Sequence, residues 1–226
     1  MINTIVLTCL SQGSASVHLT ELIKSKKIKI KSVVLSRGNI VNKRKYYTRK
    51  IKKAFNIGLF GVLNGIRMRK WYSTDTRKYY DSESIVDLCE RHMIPLKLTP
   101  SINCLQIIQY FKNANADIGL SLGNGYIASK IFSIPKFGMI NIHHEDLPSY
   151  QNALSIIWQL YNNSDKTAYT IHKIDKKIDT GDILLKEVVP ILFKETLKAT
   201  VSFNYVRLWK KSSLGLVKLL ENYEYY

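Results

Sequence analysis

Asn141-Ile142-His143 and the distant run Asp179-Thr180-Gly181-Asp182 hold the residue types from which a group-transfer site can be built. Asparagine offers an uncharged N–H donor, histidine a group that exchanges a proton near neutral pH, and aspartate a negative charge. Gly138 to His144 reads as a strand whose side chains alternate, so Asn141 and His143 leave its C-terminal end on one face. They are expected to act on one ligand. His144, Glu145 and Asp146 add a polar cluster that could touch substrate, but it lacks metal-ligand spacing, and no metal is expected.

Around these residues, Asp146 to Tyr150 stops the strand, and Leu154 to Leu160 has the pattern of a buried helix face. Thr167 to Ile174 is a second strand carrying His172, and a turn from Asp175 to Gly181 leads to a third, Ile183 to Ile191. At the other end of the chain, Asn3 to Cys9 suits a buried parallel strand, Ser11 to Ser14 a turn and helix start, and Ile30 to Leu35 the next strand. Between Gly38 and Tyr80 the alternation breaks, as in an insertion. Asp81-Ser82-Glu83 is expected to cap a helix presenting Ile85, Leu88 and Cys89, followed by strand Pro95 to Leu98, helix Ile102 to Asn113 and strand Asp117 to Leu122. Strands alternating with helices predict an α/β fold: a Rossmann-like, open, mainly parallel sheet flanked by helices. Two further helices are expected after Pro190, giving a catalytic domain over 1–190, with the basic insertion at about 38–80, and a C-terminal helical extension over 191–226.

Composition narrows the surroundings. No stretch is long and apolar enough to span a bilayer, and Met1-Ile2-Asn3-Thr4 lacks the basic start of a secretory signal, so a cytoplasmic protein without a membrane partner is expected. Cys9, Cys89 and Cys104 fit neither a disulfide framework nor a zinc site and are expected to be small buried residues. The formal net charge of +17 favours anionic partners. Seven of the eleven residues from Lys43 to Lys53 are basic, and Arg67, Arg69, Lys70, Arg77 and Lys78 follow among Trp71, Tyr72, Tyr79 and Tyr80. Such a mixture fits nucleic-acid contacts or a solvated basic surface, and the run alone does not decide between them.

Asn141-Ile142-His143, Leu147-Pro148-Ser149-Tyr150, Thr170-Ile171-His172 and Asp179-Thr180-Gly181, in this order and spacing, resemble the folate-dependent formyltransferases. That family includes glycinamide ribonucleotide, methionyl-tRNA and nucleotide-sugar N-formyltransferases. The resemblance is specific from about Leu120 to Pro190 and architectural before that. It implies 10-formyltetrahydrofolate as donor. It also implies catalytic roles for Asn141 as oxyanion donor, His143 as proton carrier and Asp179 as the carboxylate that orients or stabilises the imidazole, with His172 in support. The pterin is expected on two loops: Leu120, Leu122, Gly123, Asn124, Gly125, Tyr126 and Ile127 on one, and Asp175 to Asp179 on the other.

Departures from the family pattern fall on the acceptor side, where Gln151-Asn152, Ala168 and His144 replace its usual residues. The resemblance is greatest to nucleotide-sugar N-formyltransferases, which implies a nucleotide-linked amino sugar as acceptor, its formylated product serving surface polysaccharide (O-antigen) synthesis. Glycinamide ribonucleotide is the alternative acceptor. Transfer RNA is disfavoured, because too few residues follow Pro190 for the β-barrel that tRNA enzymes carry. A basic nucleic-acid-binding protein without activity and a formyl-folate hydrolase stand behind these readings. Apolar residues on the C-terminal helices would permit a homodimer.

Overall fold

The computed structural model describes residues 1–37, 43–71, 75–151 and 155–223. The flanks of the expected insertion, including Tyr72, lie outside them, as do Asn152 and Leu154. A seven-stranded sheet runs in the order β3-β2-β1-β4-β5-β6-β7. Its strands are β1 (Ile2–Thr8), β2 (Ile28–Ser36), β3 (Leu96–Thr99), β4 (Ile118–Leu122), β5 (Met139–His143), β6 (Lys166–Lys173) and β7 (Ile183–Pro190). The first five are mutually parallel, and β6 and β7 are antiparallel additions. This is the expected mainly parallel α/β fold.

Alternation along β1 distributes the core. Val6 faces one layer with α1 (Ser14–Lys24), α3 (Ile85–Arg91), α6 (Ser155–Tyr161) and α7 (Leu197–Glu221). Ile5 and Leu7 face the other, with α4 (Leu105–Ala114) and the short α5 (Ser129–Phe132). The chain builds outward from β1 through β2 to β3 and returns to place β4 on the far side of β1, so the order reverses between β1 and β4. Loops part at such a reversal and leave a crevice at the carboxyl ends of the strands.

Three local expectations change. The cap of α3 is Ser84, whose Oγ accepts from the Asp87 N–H at 3.1 Å, because Ser82 is drawn away to accept from the Gly13 N–H at 2.7 Å. The two expected C-terminal helices are one. Lys210-Lys211-Ser212-Ser213 interrupts the apolar pattern, yet both serines are buried, Ser213 donating to the Lys210 carbonyl one turn back at 2.9 Å and Ser212 to His18 Nε2 of α1 at 2.9 Å. Hydroxyls so satisfied do not end the helix. Val201, Leu208, Leu216 and Leu219 of this helix enter the same core as α1. Of the cysteines, only Cys89 is buried, and Cys9 and Cys104 are partly exposed.

The segment expected as an insertion folds, over Lys43–Trp71, into helix α2, interrupted at Gly58 by φ 68° and ψ 175°.

Candidate active site

β5 pairs antiparallel with β6 so that Asn141 lies opposite His172 and His143 opposite Thr170. Opposed residues share a face, so this register alone assembles four polar side chains. Ile142 and Ile171, also opposed, point into the core. His172 donates from Nδ1 to the Lys173 carbonyl at 2.9 Å, which leaves Nε2 to accept from the Asn141 amide Nδ2 at 3.3 Å. One N–H of Asn141 is thereby held and the other remains to donate elsewhere. Burial holds the His172 pKa below the ordinary imidazole value, outweighing the Lys173 carbonyl and Asp179, and keeps the ring neutral.

Thr170, fully buried, anchors the loop after β5: its hydroxyl donates to the Glu145 carbonyl at 2.8 Å and accepts from the Leu147 N–H at 3.3 Å. That turns the Glu145 side chain, 3% exposed, back onto His143, with Oε2 at 3.1 Å from Nε2. The Tyr150 carbonyl lies at the same distance, 3.1 Å, from Nε2. The other ring nitrogen, Nδ1, faces Asp179 Oδ2 at 3.9 Å, and Asp179 Oδ1 is 3.8 Å from His172 Nε2. Burial pulls the His143 pKa down. The hydrogen bond to Glu145, the charges of Glu145 and Asp179, and the Tyr150 carbonyl outweigh it, and the net shift is upward.

Asp179 belongs to a turn braced by Asp175, whose carboxylate accepts from the Lys177 N–H at 3.0 Å and the Thr180 hydroxyl at 2.8 Å. Its φ of 55° is left-handed, a region that Asp and Asn enter more readily than other side chains. Across from it, the loop after β4 is tied down by Asn124, which donates to the Leu7 carbonyl at 2.6 Å and Ser121 Oγ at 3.1 Å. Asn103 clamps the same loop, donating to the Tyr126 carbonyl at 2.9 Å and accepting from the Ala128 N–H at 2.8 Å. No sequence signal marked Asn103, because it lies before α4, far from every motif. Glu145 was visible only as part of a polar cluster.

Between these loops lies a cavity of about 370 Å³. Asn141, His143, His172, Asp175 and Asp179 line it together with Gly123, Asn124, Gly125, Tyr126 and Ile127. Leu120 and Leu122 do not: their side chains are buried in the core, so only their backbone neighbours reach the cleft. The two glycines also differ. Gly123 has φ 70° and a Cβ there would strike Leu10, whereas a Cβ on Gly125 would meet open space. Conformation and packing demand the first, and room for a ligand is left beside the second.

His144, on the next turn of chain, points the other way and joins a buried relay. His18 donates from Nδ1 to the Ser14 carbonyl at 2.6 Å, so its Nε2 accepts from Ser212 Oγ at 2.9 Å, and Ser212 in turn accepts from His144 Nε2 at 3.2 Å. Burial drives the His18 pKa down to about 4 and, with the neighbouring imidazoles of His18 and His143, that of His144 well below its ordinary value. A folded-state pKa held low stabilises the fold fully above the unfolded value, and that stability is lost as pH falls through the folded one. Urea unfolding followed from pH 7 to 4 is therefore expected to show a loss on the order of 3 kcal/mol from His18, beginning near pH 6.5. His144 and His172 act in the same direction and His143 against it. A flat profile would contradict the neutral relay.

Residues 90–204, just over half of the chain, match the formyl transferase family, and the protein belongs to that family. A methionyl-tRNA formyltransferase from Agathobacter rectalis is 36% identical over 103 residues, covering 45% of this chain and 32% of that protein. The bifunctional polymyxin resistance protein ArnA from Wigglesworthia glossinidia brevipalpis is 36% identical over 110 residues, covering 48% of this chain and 17% of that protein. The chain thus spans about a third or less of the length of these relatives. Among solved structures, glycinamide ribonucleotide transformylase 1 from Symbiobacterium toebii aligns over 99% of this chain and 87% of its own, with TM-score 0.67 and 12% identity. The N-formyltransferase from Helicobacter canadensis, in complex with folinic acid and dTDP-3-aminofucose, aligns over 98% and 65%, with TM-score 0.58 and 17% identity. At these identities the structural likeness concerns the fold.

Proposed function

We propose that this protein transfers a formyl group from 10-formyltetrahydrofolate to the primary amine of a nucleotide-linked amino sugar. The observation that carries the reaction is the meeting of Asn141, His143, His172 and Asp179 at one cavity, from residues scattered over two strands and a turn. The folate supplies an activated formyl carbon. The open space beside Gly125 and the paired loops at 123–127 and 174–179 fit a flat ring system held largely by backbone. The Asn141 N–H that His172 does not engage donates to the oxyanion that develops when the amine attacks. His143 takes the proton the amine must shed and returns it to the departing nitrogen, while Asp179 and Glu145 stabilise the imidazolium between these events.

A base must be neutral to act, so kcat/KM is expected to fall toward acid with a midpoint above the ordinary imidazole value of 6.5. Glu145→Gln removes the hydrogen-bonded charge that raises this pKa, and the acid limb should move to lower pH with turnover at high pH reduced less than about tenfold. An unmoved limb would remove Glu145 from the proton machinery.

The acceptor side supports a phosphorylated, base-bearing substrate. Tyr205 lines the cleft and offers a ring face, with Trp209 behind it at a ring separation of 6.4 Å. Arg77 sets a guanidinium beside the β1–α1 turn, bonded to Gln12 at 2.7 Å. In this reading Tyr205 takes the base and Arg77 the diphosphate. Trp71, the other stacking candidate, has no described side chain. A second reading is methionyl-tRNA as acceptor, favoured by the tRNA formyltransferases among the relatives and by the net charge of +17. Purified protein should be incubated with 10-formyltetrahydrofolate and, separately, with dTDP- and UDP-linked 3-amino and 4-amino sugars, glycinamide ribonucleotide and charged initiator tRNA. Mass spectrometry of the products should show formylation of a nucleotide sugar. Turnover of the tRNA or the ribonucleotide alone would reassign the acceptor. Turnover of nothing, with salt-sensitive binding of nucleic acid, would favour an inactive scaffold.

A further inference from the structure

Helix α2 takes no part in the chemistry above, and its surface is unusual. From Arg37 to Thr74 the sequence holds eleven Lys or Arg and neither Asp nor Glu. Before Gly58, Tyr47, Ile51 and Phe55 recur every fourth residue along one stripe, with exposed Arg49 and Lys53 on the opposite side and Lys50 and Lys52 at its two edges. After it, Leu59, Leu63 and Ile66 form a second stripe beside Phe60. These side chains do not reach the core. Phe55 is 83% exposed, Leu59 72% and Phe60 88%. Among the described residues, α2 makes no extensive packing with any other element. Exposed apolar stripes of this kind mark a site of interaction.

We infer that α2 docks the protein on the surface of bilayers rich in anionic phospholipid, lying in the interfacial plane with its apolar stripes among the acyl chains. Such an occupant satisfies both properties at once. A second copy of this helix would bring like charges together with no carboxylate in the segment to offset them. A nucleic acid would neutralise the cations but leave Leu59, Leu63 and Ile66 in water. An acidic bilayer accepts the cations at its headgroups and the apolar residues beneath them. The helix does not cross, since no described helix is long and apolar enough. The expectation of no membrane partner rested on the lack of a span, and a helix lying in the interface needs none. Both ends of the excursion are tied at the carboxyl edge of the sheet, Arg37 through its N–H to the Thr99 carbonyl at 2.8 Å and Arg77 through Gln12 at 2.7 Å.

The full chain should be co-sedimented with vesicles of phosphatidylcholine alone and of phosphatidylcholine mixed equally with phosphatidylglycerol. Partition is expected to be roughly a hundredfold stronger on the mixed vesicles and to weaken with salt. Joint replacement Phe55→Ser, Leu59→Ser, Phe60→Ser and Leu63→Ser should weaken it at least about tenfold, with formyl transfer in solution unchanged. Lys50→Gln, Lys52→Gln and Lys53→Gln together should abolish the preference for acidic lipid while leaving the apolar stripe intact. Equal partition on both vesicles, or none, would overturn the inference. So would tighter binding of a single-stranded oligonucleotide that the serine variant retains, or a dimer in sedimentation velocity that the serine variant dissociates.

Discussion

Asp179→Asn is expected to slow formyl transfer about a thousandfold or more in kcat while leaving the fold intact. Asp179 is the carboxylate lying between two imidazoles, 3.9 Å from His143 Nδ1 and 3.8 Å from His172 Nε2. Its charge supports the protonated state through which His143 passes on its way from attacking amine to leaving nitrogen. Asparagine keeps the size of the side chain and tolerates the left-handed φ of 55°, so the turn survives while the charge is lost. The expected result is a collapse of kcat, a KM for the folate within a few-fold, unchanged thermal unfolding, and an acid limb displaced downward in the residual rate. His143→Asn should produce a comparable loss without that limb. Turnover within tenfold of wild type in both variants would remove the proposed roles from these residues.

Gly181→Ala is expected to be strongly destabilising, the most so among the described glycines. A Cβ at this position would be driven into the backbone carbonyl of Lys173, a strand atom that also accepts from His172 Nδ1 at 2.9 Å. A flexible side chain could move aside, but a carbonyl in the sheet cannot move without dragging β6 and the Asp179 turn with it. The cost should be on the order of 3 kcal/mol or more, read as a fall in urea midpoint, and activity should be lost as His172 releases Asn141. If the variant fails to accumulate, limited proteolysis of trace material should cut first within 174–182. Gly125→Ala is the control: its Cβ would meet nothing within 4 Å, and stability should stay within about 0.5 kcal/mol of wild type. Wild-type stability for Gly181→Ala would mean that the turn adopts another path.

Much of this was readable along the chain. Period-two alternation put Asn141 and His143 on one face, and the order of strands and helices predicted the open parallel sheet. Spacing could not predict which residue of β6 stands opposite Asn141, and that pairing is what makes His172 the partner of the amide rather than a bystander. The same limit hid the direction of the two residues after β5: His144 turns to Ser212 and Glu145 folds back onto His143. Local pattern describes a side chain's alternation within a strand and has no terms for the loop that follows.

Residue types and their local periodicity, set by backbone geometry that each segment carries within itself, determined by sequence alone the strands, most of the helices and the chemistry available to the site. Tertiary structure decided what depends on segments meeting: the β5–β6 register, the buried serines that let α7 run unbroken, Asp179 brought between two imidazoles, and Leu120 and Leu122 turned into the core. These outcomes turn on packing and desolvation between distant parts of the chain, and such free energies exist only once the chain has closed on itself.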